Sequence, residues 1–203
     1  MKRLSAILAV LTLASCVTST ADAAEPLLVY ILAGQSNMQG HAQVRTLDHL
    51  GMDPRTVGML KKIRNADGTP RIHKDIWISS VDTLGEDAER HGRLTTGYGA
   101  SGRGAKIGPE LTFGITMHKH VKRPILIIKT AWGGKSINTD FRPPSAGPYR
   151  FNSNQIEGLK RQKKDIKKIL ADKEKATGAY YRHMMAHIRK VLGNIKRVVP
   201  DHD

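Results

Sequence analysis

The clearest chemical capacity in this chain lies in Gly34-Gln35-Ser36-Asn37-Met38, a short block that follows the apolar run Leu27-Leu28-Val29-Tyr30-Ile31-Leu32. A serine there would sit at the carboxyl edge of a parallel sheet, the edge where ligands bind in such folds. Ahead of a turn or helix its backbone N–H could also face an anion. Gly, Ser and Asn are equally the residues of an ordinary strand-to-helix turn. A second glycine turn, Trp132-Gly133-Gly134, closes the apolar run Ile125-Leu126-Ile127-Ile128. Glycine there lets backbone approach a substrate closely, or simply makes the turn. Two other spacings fail. Gly134-Lys135-Ser136 has the end of a phosphate-binding loop, but that motif needs glycine at position 129, where Lys129 stands. His183 and His187 lie one helical turn apart, yet the zinc-protease pattern needs Glu where Met184 stands. No metal and no other cofactor is implied.

The elements that must position these residues follow from hydrophobic periodicity. Leu27–Leu32 is long enough for a strand, and a fully apolar run suits a parallel strand buried on both faces. Asp75-Ile76-Trp77-Ile78-Ser79 and Ile125–Ile128 are two further strands. Between them Gly108-Pro109-Glu110 predicts a helix start, with proline at the first position and Glu110 at the positive end of the dipole. Leu111, Ile115, His118 and Val121 continue an approximate stripe, interrupted by Gly114. Ile156, Leu159, Ile166, Ile169 and Leu170 share a face, and Tyr181, Met184, Met185, Ile188, Val191, Leu192 and Ile195 keep an i, i+3/i+4 rhythm. Strands alternating with helices predict an α/β domain with a parallel sheet. The stretch from Gly97 to Gly104 reads as a glycine-rich loop.

Gly34-Gln35-Ser36-Asn37-Met38 within LAGQSNMQG resembles the nucleophile block of the sialate O-acetylesterase and acetylxylan-esterase-like domains (carbohydrate esterase family 6), a branch of the SGNH hydrolases. Lys106-Ile107-Gly108-Pro109-Glu110-Leu111 and Ile127-Ile128-Lys129-Thr130-Ala131-Trp132-Gly133-Gly134-Lys135-Ser136 resemble two further blocks in the same order. The resemblance implies a flavodoxin-like SGNH three-layer sandwich. It implies Ser36 as nucleophile on an O-acetyl carbonyl, with Gly134, or failing it Gly133, as oxyanion donor. Gln35 and Asn37 would contact substrate, an acetylated carbohydrate. The family's C-terminal Asp-x-x-His pair has no match. Asp201-His202-Asp203 lacks its spacing, and the other histidines match no base position. The expectation is therefore the N-terminal part of an esterase domain over residues 24–203, its sheet incomplete at the C-terminus, with low activity. The alternative is a non-catalytic carbohydrate-binding relative.

Composition sets outer limits. The 203 residues carry a net charge of +15 and one cysteine, so one domain is expected and no disulfide framework can form. No apolar run reaches the length of a transmembrane span. The charge is lopsided: residues 1–100 hold 11 basic and 10 acidic residues, whereas residues 101–203 hold 22 and 8. The basic stretch Lys160–Lys175 reads as a solvated helix face rather than a nucleic-acid site, because it lacks interleaved aromatics. Lys2 and Arg3, the apolar run Leu4–Ala14 and the small residues beyond form a secretory signal layout over residues 1–23. Leu13-Ala14-Ser15-Cys16 offers lipidation at Cys16, and Ala21-Asp22-Ala23 offers ordinary release. Export to the periplasm, cell envelope or exterior is expected, with membrane contact only through a lipid on Cys16.

Overall fold

The computed structural model describes residues 25–85 and 88–200. The segment expected to be a signal, with Cys16, and the Asp201-His202-Asp203 terminus lie outside the described residues. The main sheet has four strands in the order β1-β6-β3-β4. They are β1 (Leu28–Gly34), β3 (His73–Val81), β4 (Glu89–Leu94) and β6 (Ile125–Ala131). β1, β6 and β3 run parallel, with Tyr30 opposite Ile127 and Ile78 opposite Ile127 on the other side. The three strands legible as apolar runs are thus the three parallel ones. The fold is α/β with a mostly parallel sheet, as the periodicity predicts.

β6 is central, and its alternation builds both faces of the core. Ile125 and Ile127 point into a cluster with Ile76, Ile78, Leu94 and Leu111. Leu126 and Ile128 point the other way, onto Trp77, Ile188, Val191, Val198 and Val199. Each such side chain fully withdrawn from water stabilises the fold by about 1.5–3 kcal/mol. The first cluster is roofed by helix α3 (Pro109–Val121) and the second by helix α6 (Ala179–Gly193). α3 starts at Pro109 as expected. Gly114, which breaks its stripe, is where the helix meets the sheet: a Cβ there would stand 2.5 Å from Leu94 Cδ2 and 2.9 Å from Ile127 Cδ1.

Two features depart from the sequence reading. β1 is buried on one face only: Tyr30 and Leu32 pack into the α3-side cluster, while Val29 and Ile31 remain 38% and 50% exposed. Their partners Leu126 and Ile128 lie under α6, which does not extend over β1. The second departure is β4, an antiparallel edge strand on β3. Its sequence, Glu89-Arg90-His91-Gly92-Arg93-Leu94, is largely polar: Glu89 and Arg90 make ion pairs, and only Leu94 enters the core.

The smaller elements hold the sheet's carboxyl edge. α1 (Ser36–Gln39) is one turn, β2 (Ala42–Gln43) pairs with β5 (Lys106–Ile107), and α2 (Val57–Ile63) seats Ile63 in the core. The last third is helical as expected, but divided. α4 (Ser153–Arg161) opens on a capping box between Asn152 and Gln155, and α5 (Ile166–Ala176) opens on the Asp165 cap. Neither has a buried residue, so their lysines are solvated. Among the described residues no helix is long and apolar enough to cross a membrane.

Candidate active site

Ser36 opens α1 directly after β1, and is half-buried between exposed Gln35 and Asn37. Its hydroxyl donates to Gln35 Oε1 at 3.0 Å. The turn is tight: Gln39 N–H donates to the Gln35 carbonyl at 2.8 Å, and Gly40 N–H to the Ser36 carbonyl at 3.1 Å. The Trp132-Gly133-Gly134 turn lies beside it, because Gly34 and Ala131 are register partners at the ends of neighbouring strands. Trp132 N–H donates to the Gly34 carbonyl at 3.1 Å. Gly133 faces the Gln39 side chain, where a Cβ would stand 3.0 Å from Oε1, and Gly134 adopts φ +71°. Ser36 and both glycines therefore share one sheet edge.

Underneath, a set of buried polar groups fixes the turn. Lys129 projects from β6 and donates to the Gln39 carbonyl at 2.8 Å, the Tyr98 carbonyl at 2.9 Å and Glu110 Oε2 at 2.5 Å. Glu110 also accepts from Gly108 N–H at 2.9 Å. Both charged side chains are shut off from solvent. Burial pushes the Lys129 pKa down, and the Glu110 carboxylate opposes that. An unpaired charge would not survive such a site, so the pair is obligatory once either residue is there. Gln39 Nε2 donates to the Asp82 carbonyl at 3.2 Å, and Asp82 Oδ2 accepts from the Ser101 hydroxyl at 2.6 Å. Arg90 holds the glycine loop through the Gly97 and Gly99 carbonyls, both at 2.6 Å. Gly40 (φ +81°) meets Gly108 so closely that a Cβ would lie 2.0 Å from Gly108 Cα.

A family model described as carbohydrate esterase, sialic acid-specific acetylesterase, matches residues 26–196. The chain belongs to that family. No curated protein matches it. Among solved structures it is similar to the crystal structure of an Arabidopsis thaliana protein at 18% identity, with a TM-score of 0.31. That match covers 68% of this chain and 50% of the other, so the chain spans about half the length of that relative.

In this family member the turn carrying Ser36 has no histidine bonded to the serine among the described residues. The serine–histidine contact that does exist lies elsewhere. Ser79 Oγ, fully buried on β3, is 3.0 Å from His187 Nε2 and donates to Glu89 Oε1 at 2.7 Å. A hydroxyl with no access to solvent is no nucleophile, and this cluster ties α6 to β4 instead. Arg197 and Lys190 complete it on the two Glu89 oxygens, at 2.6 and 2.9 Å. Burial would raise the Glu89 carboxyl, but hydrogen bonds from Arg197, Ser79 and Lys190 outweigh it and hold it at about 2. Burial lowers the His187 pKa. His183, one turn earlier, goes to the rings of Trp132 and Tyr180 instead.

The pairing of Lys129 with Glu110 escapes motif reading. Glu110 is legible only as a helix-start residue, and Lys129 only as the residue that spoils a phosphate loop. The signal is present all the same. A lysine continuing an otherwise apolar central strand requires a buried counter-charge, and Glu110 is within the neighbouring helix.

Proposed function

We propose that this chain is an exported carbohydrate O-acetylesterase in which Ser36 is the nucleophile. Ser36 Oγ attacks the acetyl carbonyl, its proton passes to a general base, and the sugar hydroxyl leaves. Water then hydrolyses the acetyl-enzyme and acetate departs. The Ser36 N–H and a glycine N–H of the 133–134 turn are the oxyanion donors, one such donor being worth about 3–4 kcal/mol in the transition state. One observation carries the reading: Trp132 N–H is bonded to the Gly34 carbonyl, which sets the glycine turn beside the serine turn at the carboxyl edge of the sheet.

No histidine hydrogen-bonds Ser36 among the described residues, and an unassisted serine is a poor nucleophile. The described residues thus give Ser36 no base, and slow turnover is what this reading expects. The test is acetate release from p-nitrophenyl acetate and from an acetylated glycan, with Ser36→Ala alongside. Slow turnover that disappears in Ser36→Ala supports the reading. Turnover that survives the substitution removes Ser36 from the mechanism, and a fast Ser36-dependent rate shows that a local histidine reaches it. The same unassisted serine favours a second reading, a carbohydrate-binding relative anchored at the cell envelope through Cys16. Glycan binding without turnover, equal in both proteins, would select it.

A further inference from the structure

Beside Ser36 the surface is not closed. A groove of about 430 Å³ begins at Gly34 and Gln35 and is walled by Phe141, Pro143, Tyr181 and Met184. Pro143 and Tyr181 also line a second cavity of about 330 Å³, which continues to Gly147 and Pro148. Those two residues and Arg142 open into a third, of about 550 Å³, that reaches Tyr149, Arg150, Asn152 and Gln155. The shared walls make these one trough, leading from the serine turn to the foot of α4.

Its charge is one-sided. Lys135, Arg142, Arg150 and Arg182 line the three cavities without an Asp or Glu, and a side cavity sharing Pro148 and Tyr149 adds Lys173 and one acid, Glu174. Three of the first four cations are already engaged. Lys135 sits over the Tyr180 ring at 4.4 Å, Arg142 donates to the Gly147 and Ala146 carbonyls, and Arg182 donates to the Thr177 carbonyl. Arg150 differs. It is exposed at the mouth of the widest cavity and makes no hydrogen bond or ion pair among the described residues. Past it, Arg161, Lys163, Lys164, Lys167 and Lys168 of the α4–α5 hairpin are exposed and extend the positive field.

We infer that the trough is a binding site for an extended anionic polysaccharide, a chain of carboxylate-bearing sugars whose acetylated unit is delivered to Ser36. This rests on the esterase reading and adds the substrate class to it. The excess of cations along the wall selects a polyanion over a neutral glycan, and the exposed Arg150 guanidinium, unpaired among the described residues, offers the planar fork that pairs bidentately with a carboxylate. Successive concavities suit a chain of linked rings rather than a single sugar, and the hairpin lysines raise the encounter rate. A general polyanion site on α4–α5 is the competing account, and it makes no use of the trough.

The test is binding of unacetylated polygalacturonate to the full 203-residue chain, with neutral xylan, duplex DNA and phosphatidylglycerol vesicles as comparison probes. Polygalacturonate carries no acetyl ester, so the measurement is independent of turnover at Ser36 and cannot fail merely because the esterase reading fails. Polygalacturonate is expected to bind and xylan not to, and binding should weaken steeply as salt rises. Arg150→Glu should reduce the affinity about tenfold or more, with Arg150→Lys retaining part of it, since a lysine keeps charge but loses the fork. Arg150 is exposed and bonds to no other described residue, so unchanged circular dichroism is expected of both variants. Equal binding of xylan, or an Arg150→Glu protein that binds as well as the parent, overturns the proposal. So does tighter binding of DNA or vesicles that is indifferent to Arg150→Glu, which would assign the charge to the hairpin alone.

Discussion

Lys129 Nζ stands 2.5 Å from Glu110 Oε2 with both side chains sealed from solvent, and the same ammonium donates to the carbonyl of Gln39, the last residue of the turn that carries Ser36. One buried charge thus joins the central strand, the α3 N-terminus and the serine turn. Glu110→Gln leaves the ammonium without its counter-charge, and a loss of about 3–5 kcal/mol in urea unfolding is expected. Lys129→Met combined with Glu110→Leu removes both charges and should recover much of that loss. It leaves the Gln39 and Tyr98 carbonyls without a donor, so the serine turn should loosen. Fluorophosphonate labelling of Ser36 in the refolded double variant should therefore be slower than in the parent. A Glu110→Gln protein as stable as the parent would refute the account.

Gly40 gives a sharper steric prediction. Its φ of +81° disfavours any side chain, and an added methyl would lie 2.0 Å from Gly108 Cα and 2.5 Å from the Ile107 carbonyl oxygen. Gly40→Ala must push α1 away from the start of α3, and a loss of about 4 kcal/mol or more is expected, seen as insoluble protein or a collapsed melting temperature. Gly58→Ala is the control. Gly58 lies within α2 with nothing inside 4 Å of an added Cβ, so alanine there should stabilise the helix by about 0.5–1 kcal/mol. Equal behaviour of the two variants would count against the close approach.

The contrast between these two glycines shows what could be read from sequence and what could not. Apolar runs marked the three parallel strands, and for β6 the reason is that a strand covered on both faces has nowhere for polar side chains to point. The Gly-Gln-Ser-Asn and Trp-Gly-Gly blocks were legible because backbone-close chemistry restricts residue type. β4 was not legible, since Glu89 pairs with Arg197 and Lys190, Arg90 with Asp82, and Arg93 lies over Trp77, which leaves no apolar alternation to read. Nor was the open face of β1: Val29 and Ile31 have the pattern of buried residues, and only the reach of α6 decides that they are exposed. Lys129 and Glu110 are 19 positions apart, and a pair formed by helix-on-sheet packing has no fixed spacing to announce it.

Glu89 carries the pH dependence. Its carboxyl is held at about 2 against an ordinary 4.5, chiefly through Arg197, Ser79 and Lys190 overcoming the cost of burial. A depressed carboxyl pKa means that the unfolded chain binds the proton more readily. The stabilisation is therefore complete above about pH 4.5 and is lost as the pH falls towards about 2. His187, lowered by burial, adds an earlier loss below its ordinary 6.5, because the unfolded chain protonates first there as well. Glu89→Gln removes the first contribution. At pH 7 its melting temperature should fall by about 3–8 °C, as Arg197 and Lys190 lose their shared partner. Between pH 4.5 and 2 the curve of melting temperature against pH should be flatter for the variant than for the parent, so the two converge in acid. Melting curves read by circular dichroism across pH 2–8 check this, and parallel curves for the two proteins would show that Glu89 is not the group that titrates.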